Sequence, residues 1–166
     1  MNIATKNTVS VNERCVAIRL KIPDNEAYTA LTTLQRLGVR VTRLERAEIW
    51  QLDDSGDAAT LAQRIERNET MFNPNKHVLA ILDARMPRPG ETWIEELPAT
   101  SEKISATTEV SAHLDGKGIA GVTRAQRYVG WRLLDAAGNP ATRDVVETAV
   151  ERLLCNPAIE RAIYQE

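Results

Sequence analysis

The segment Val41–Leu52 reads VTRLERAEIWQL, and Val122–Leu133 reads VTRAQRYVGWRL. Val41, Thr42, Arg43, Arg46, Trp50 and Leu52 recur as Val122, Thr123, Arg124, Arg127, Trp131 and Leu133, all at an offset of 81 residues. Asn73-Pro74 recurs as Asn156-Pro157 at an offset of 83, so the stretch between phrase and Asn-Pro pair holds a two-residue insertion in the second copy. Self-similarity of this kind constrains a fold more than any single motif, because each copy must be one structural unit whose neighbour helps to bury its core. The expectation is a tandem duplication.

Element signals repeat in the same order. RCVAIRLKI, from Arg14, alternates apolar and polar residues as a half-buried strand does. Pro23-Asp24-Asn25 breaks it, and Asp24 or Asn25 is suited to cap a following helix. In EAYTALTTLQRLG the residues Ala27, Ala30, Leu31, Leu34 and Leu37 recur at helical spacing, with Gly38 as the stop. The repeated phrase is expected to form a strand pair. DDSGD is a turn, ATLAQRIERNETMF is a helix ended by Asn73-Pro74, and HVLAILD is a buried strand. Beyond the proline-glycine segment MPRPGE, TWIEEL is a strand and SEKISATTEVSAHL is a weak helix on Ile104, Val110 and Leu114. GIAGVTR and RYVGWRLLD form the second strand pair, TRDVVETAVERLL a strong amphipathic helix, and AIERAIY the last strand.

Strand, helix, strand, strand, helix, strand is the order of a ferredoxin-like sandwich. The expected fold class is therefore α+β, with two tandem ferredoxin-like (βαββαβ) units packed as an intramolecular pseudo-dimer. The expected boundaries are a flexible tail over 1–12, a first unit over 13–85, a linker over 86–91 and a second unit over 92–166. A unit of about 75 residues buries a marginal core by itself, and fusion raises the effective concentration of its partner half.

Composition narrows the function classes. Aromatic residues are only 4% of the chain, which leaves little material for base-stacking platforms, and a net charge of −2 gives no broad electrostatic footprint for nucleic acid. No apolar run approaches membrane-spanning length, and the polar start MNIATKNTVSVNER is not of signal-peptide type. The expected location is cytoplasmic, with Cys15 and Cys155 as reduced, packed thiols. His77 and His113 stand in unrelated contexts and make no metal pattern with two scattered cysteines. Gly116-Lys117-Gly118 lacks the parts of a phosphate loop, and no nucleophile elbow is present. Asp53-Asp54 and Glu95-Glu96 are adjacent acids that point to opposite strand faces, so they are read as solvated charges rather than a catalytic pair. No catalytic residue, cofactor or metal is expected.

LGVRVTRLERAEIWQLD, followed by a charged helix and an Asn-Pro stop before a last strand, resembles the PurS family. VERLLCNPAIERAIYQE resembles the C-terminal part of the same unit. PurS is the small component of the bacterial formylglycinamidine ribonucleotide amidotransferase complex of purine synthesis, and a doubled PurS-like region occurs in single-chain versions of that enzyme. The resemblance implies a non-catalytic subunit that oligomerises through its sheets and bridges the glutaminase and synthetase subunits. The loop after the first strand, KIPDNEAY, is shorter than the family's.

On this reading the partner-binding candidates are Arg43, Arg46, Arg124 and Arg127, at equivalent places in the two phrases, with Trp50 and Trp131. The tryptophans also read simply as core or sheet-interface aromatics, and the arginines as solvated strand residues. The expected partners are the synthetase and glutaminase subunits and a second copy of the chain as a dimer. Two other classes fit the same fold: an ACT-like module binding a small effector, and a small enzyme with a site enclosed between sheets.

Overall fold

The computed structural model describes residues 12–97 and 118–166. The helix expected from Ser101 to Leu114, with His113 and most of the expected tail, lies outside them. The chain is α+β, roughly compatible with a ferredoxin-like fold. One antiparallel sheet is built from β1 (Asn12–Leu20), β2 (Arg43–Asp54), β3 (His77–Leu82), β4 (Glu91–Glu96), β5 (Val122–Leu134) and β6 (Glu160–Tyr164). Its spatial order is β3-β1-β2-β5-β4-β6. The helices are α1 (Asn25–Arg36), α2 (Leu61–Glu66) and α3 (Arg143–Ala149), the last extended by a wider π-type turn over Val150–Leu154.

Local chemistry accounts for α1 in full. The Asp24 carboxylate accepts from the backbone N–H of Glu26 and Ala27 at 2.9 and 3.1 Å, satisfying donors that the first helical turn leaves open. At the other end Gly38 sits at φ 80. Val39 N–H reaches Leu34 O and Gly38 N–H reaches Gln35 O, both at 3.0 Å, which is a Schellman stop.

The expected strand pairs are a correction. Arg43–Asp54 is one continuous 12-residue strand and Val122–Leu134 one of 13 residues, so among the described residues each half has three strands rather than four. A hairpin needs a turn, and RLERAEIWQL has no glycine, proline, asparagine or aspartate to make one. The second helix of the first half also differs, because it ends at Glu66 rather than at Asn73-Pro74. Asn68 stops it: its side-chain oxygen accepts from Thr70 and Met71 N–H, an alternative to continuing the helical ladder.

The two Asn-Pro pairs instead build matching turns into the edge strands. Asn73 Oδ1 accepts from Asn75 N–H at 2.9 Å and Asn156 Oδ1 from Ala158 N–H at 3.1 Å. Asn73 O accepts from Lys76 and His77, and Asn156 O from Ile159 and Glu160. Asn73 N–H donates to His77 Nδ1, and Asn156 N–H to Glu160 Oε2. Four hydrogen bonds at the same relative positions lead into β3 and β6.

The halves meet edge to edge where β2 pairs with β5. Arg46 lies opposite Trp131, Trp50 opposite Arg127, and Glu48 opposite Val129, the residue that matches it at the offset of 81. The seam is thus centred on an equivalent pair. All three helices lie on one face of the sheet. There α1 and α3 cover Leu44, Ile94, Trp131 and Leu133. α2 covers Val16, Ile18, Trp50 and Leu52. On the other face Cys15, Ala17, Ile49, Trp93 and Tyr128 form a third buried cluster. The connection from Leu82 to Glu91 crosses this face, where Gln51 Nε2 donates to Arg85 O at 3.2 Å and Pro87 is buried.

Candidate functional site

The ladder between β1 and β2 stops at Ile18–Glu48. Beyond it β1 follows β3, and Lys21 is held there by its N–H on Lys76 O at 2.8 Å and its Nζ on Pro74 O at 2.6 Å. β2 continues in the other direction, paired only with β5 over Arg43–Ala47. The strands splay, and α1 roofs the gap. The result is an open groove of about 420 Å³ with an apolar wall of Leu20, Ala27, Tyr28, Leu31 and Val78 facing a mixed set of charges, Arg19, Arg43 and Arg46 with Asp24 and Glu45. A smaller recess of about 70 Å³ shares Arg19, Leu20, Asp24 and Arg46, and adds His77 and Glu48.

Arg46 is the central group. Its side chain is 19% exposed, with Nη2 at 2.9 Å from Glu26 Oε2 and Nη1 at 3.7 Å from Asp24 Oδ2. Its guanidinium lies 5.7 Å from the Trp131 ring centroid, within cation–π range. The carboxylate that caps α1 therefore also anchors β2, and one arginine ties the helix start, the first-half strand and the second-half tryptophan. Its buried Nε has no hydrogen-bond partner among the described residues.

The sequence candidates are divided by the sheet rather than gathered. The register puts Arg46 and Arg127 on the helix-covered face, with Arg127 at 3.2 Å from Glu48. Arg43 and Arg124 project from the opposite face. Arg43 is 62% exposed and bonds Glu45 at 2.6 Å. Arg124 is exposed opposite Asp53 and has no ion pair among the described residues. Only Arg43 and Arg46 reach the same groove. Trp50 and Trp131 are 8% and 9% exposed, each in a different core cluster.

Asp54 and Glu95 correct the reading of solvated acids. Asp54 is fully buried, with Oδ1 and Oδ2 each 2.8 Å from an Arg64 nitrogen. Arg64 spends its remaining donors on Thr60 Oγ1, Asp57 O and Ala120 O, and so fastens α2 to the segment entering β5. The Arg64 hydrogen bonds hold the Asp54 carboxyl below the usual carboxylate range against the opposing effect of burial. Glu95, 15% exposed, pairs with Arg161 and accepts from Gln126. Sequence reasoning could not have found the Asp54–Arg64 pair, since ten residues of turn and helix separate the two.

Trp93 and Tyr128, also passed over, lie with ring centroids 5.7 Å apart in the cluster opposite the helices. Tyr128 Oη donates to Gln51 at 2.8 Å, and burial pushes its pKa up to about 12. Burial likewise pushes the Cys15 thiol up to about 12. Both cysteines are free. Among the described residues no group of His, Cys, Asp and Glu is placed to hold a metal, and no helix is long and apolar enough to cross a membrane.

No protein-family model matches the chain, and no curated protein matches it.

Proposed function

We propose that this chain is a non-catalytic assembly subunit of the formylglycinamidine ribonucleotide amidotransferase complex, made of two tandem PurS-like units. The units pair with each other as two subunits of a dimer would, and the fused body bridges the glutaminase and synthetase subunits in the cytoplasm. The observation that carries the reading is the β2–β5 seam. Its two long strands hold the repeated phrase, its register centres on Glu48 and its equivalent Val129, and matching Asn-Pro turns lead to both outer edges. Two copies of a single unit related by a two-fold axis would meet in this way. The PurS resemblance of both halves supplies the complex.

In this reading the partner-facing arginines are Arg43 and Arg124, which are exposed. Arg46 pairs with Glu26 and reaches the Trp131 ring across the seam, and Arg127, although exposed, pairs with Glu48 across it. Co-purification of the tagged chain with its host's synthetase and glutaminase tests the proposal. Its removal should lower glutamine-dependent amination while ammonia-dependent amination persists. Absence of both proteins from the pull-down, in a host that also carries a separate single-unit PurS, refutes it.

The groove favours a second reading, a regulatory module of ACT-like type. An apolar wall beside Arg19, which has no ion pair among the described residues, with Arg43 and Arg46 already paired to Glu45 and Glu26, suits a small amphipathic effector such as an amino acid or nucleotide. A ligand-dependent rise in Tm without binding to either enzyme subunit would favour that reading.

A further inference from the structure

The two outer edges of the sheet are unlike. β6 carries Glu160 and Arg161, and Arg143 from α3 closes on its end, donating to Gln165 O at 2.8 Å with its guanidinium 4.1 Å from the Tyr164 ring centroid. Charges and a covering side chain are the usual guards of an open edge. β3 reads HVLAIL, six residues with no Asp, Glu, Lys or Arg, and no described strand pairs with its outer side. Val78 is 42% exposed on one face of it and Ile81 47% on the other. Ile22, at 59%, extends the apolar strip past the end of β1. An unguarded apolar edge of this length is an invitation to pair.

We propose that β3 is a self-association edge: two copies of the chain join β3 to β3, antiparallel around a two-fold axis, into one continuous sheet. The backbone fits the pairing. Lys21 N–H bonds Lys76 O, so in the antiparallel ladder the even positions of β3 bond inward to β1 and the odd positions point outward. His77 N–H is already used by Asn73 O, leaving the N–H and C=O of Leu79 and Ile81 and the C=O of His77. In a pairing centred on Leu79, the two Leu79 residues exchange bonds, and each Ile81 N–H meets the second copy's His77 C=O.

The flanks fit as well. Lys76 precedes the strand and Asp83 follows it; both are exposed and neither has an ion pair among the described residues. Antiparallel pairing brings these opposite charges towards each other across the dyad, whereas parallel pairing would set Lys76 against Lys76. That complementarity selects a second copy of this chain as the occupant. The inference goes beyond the proposed function, which pairs two units within one chain, and adds a second copy of the chain at the outer edge.

Mass measured by light scattering across a concentration series tests it. The wild-type chain should approach twice its 18.5 kDa, and Ile81→Lys and Val78→Lys should each remain at 18.5 kDa. These positions lie on opposite faces and are exposed, so a folding failure in one leaves the other to decide, with an unchanged Tm as the control. Leu79→Cys in a Cys155→Ser background should form an intermolecular disulfide on oxidation, and Ala162→Cys on the β6 edge should not. A wild-type chain monomeric throughout, a dimer that survives a folded lysine variant, or a dimer without the Leu79→Cys crosslink overturns the inference. The pull-down of enzyme subunits is a separate readout, so loss of one proposal is distinguishable from loss of the other.

Discussion

Replacing Asp54 by alanine is the sharpest probe of how the outer helix is held to the sheet. The change removes two charge-assisted hydrogen bonds of 2.8 Å and the acceptor for Gly56 N–H at 2.9 Å. It leaves the Arg64 guanidinium, 14% exposed, without its counter-ion. Removing one partner of a buried ion pair costs about 3–5 kcal/mol, because the remaining charge stays desolvated. Since Arg64 keeps some access to water and to backbone carbonyls, the lower end applies, about 3 kcal/mol. For a chain of this size that corresponds to a fall in Tm of about 6–12 °C. Urea denaturation monitored by circular dichroism gives the free energy, and calorimetry gives Tm.

The double variant Asp54→Leu/Arg64→Met should recover much of the loss, because it removes the two charges that bond each other and leaves only the partly exposed Arg14, 3.8 Å from Asp54, without its counter-ion. The pH dependence has a fixed sign. The folded carboxyl titrates below its unfolded value, so the pair's contribution is complete above about pH 4 and declines as pH falls through the lower, folded value. The wild type should therefore lose stability on acidification more steeply than the double variant. A loss below about 1 kcal/mol for Asp54→Ala, or identical acid limbs for wild type and double variant, would refute the reasoning.

Three further outcomes are expected. Arg46→Ala should destabilise by about 1–2 kcal/mol, as it gives up a partly buried ion pair and the Trp131 contact, whereas Arg43→Ala should stay within about 0.5 kcal/mol because its side chain is 62% exposed; equal effects in chemical denaturation would contradict the division of roles. Gly130→Ala should cost about 1–3 kcal/mol, since a Cβ there lies 2.9 Å from Ile49 Cγ1 and Ile49 is 1% exposed with no room to yield; a Tm at or above wild type would show that this face is loosely packed. Iodoacetamide at neutral pH should label Cys155 well before Cys15, whose thiol is buried at 2% exposure with its pKa near 12, and both should react together in denaturant; mass spectrometry of timed samples decides.

Features that rest on neighbours in the chain were legible in the residues alone. Asp24 and Gly38 bracket α1 because a cap and a left-handed stop need only a few adjacent residues. The alternation of β1 and the amphipathic stripe of α3 followed from period alone. Each copy of the repeated phrase lies in one long strand, and each Asn-Pro pair makes a turn with the same hydrogen bonds, although these turns open edge strands rather than end helices.

What depends on pairing across the chain became legible in the folded sheet alone. That VTRLERAEIWQL is one long strand rather than two follows from its neighbours β1 and β5, which saturate its edges over most of its length. Register then assigns every side chain a face, since one step in pairing turns each residue over. It put Arg46 and Arg127 on the helix-covered face, Arg43 and Arg124 on the other, and both repeated tryptophans into the core. It also brought Arg64 onto Asp54, turning an acid of an ordinary-looking turn into a fully buried one. Local preference has a range of a few residues, and the sheet that places these groups is built from strands dozens of residues apart.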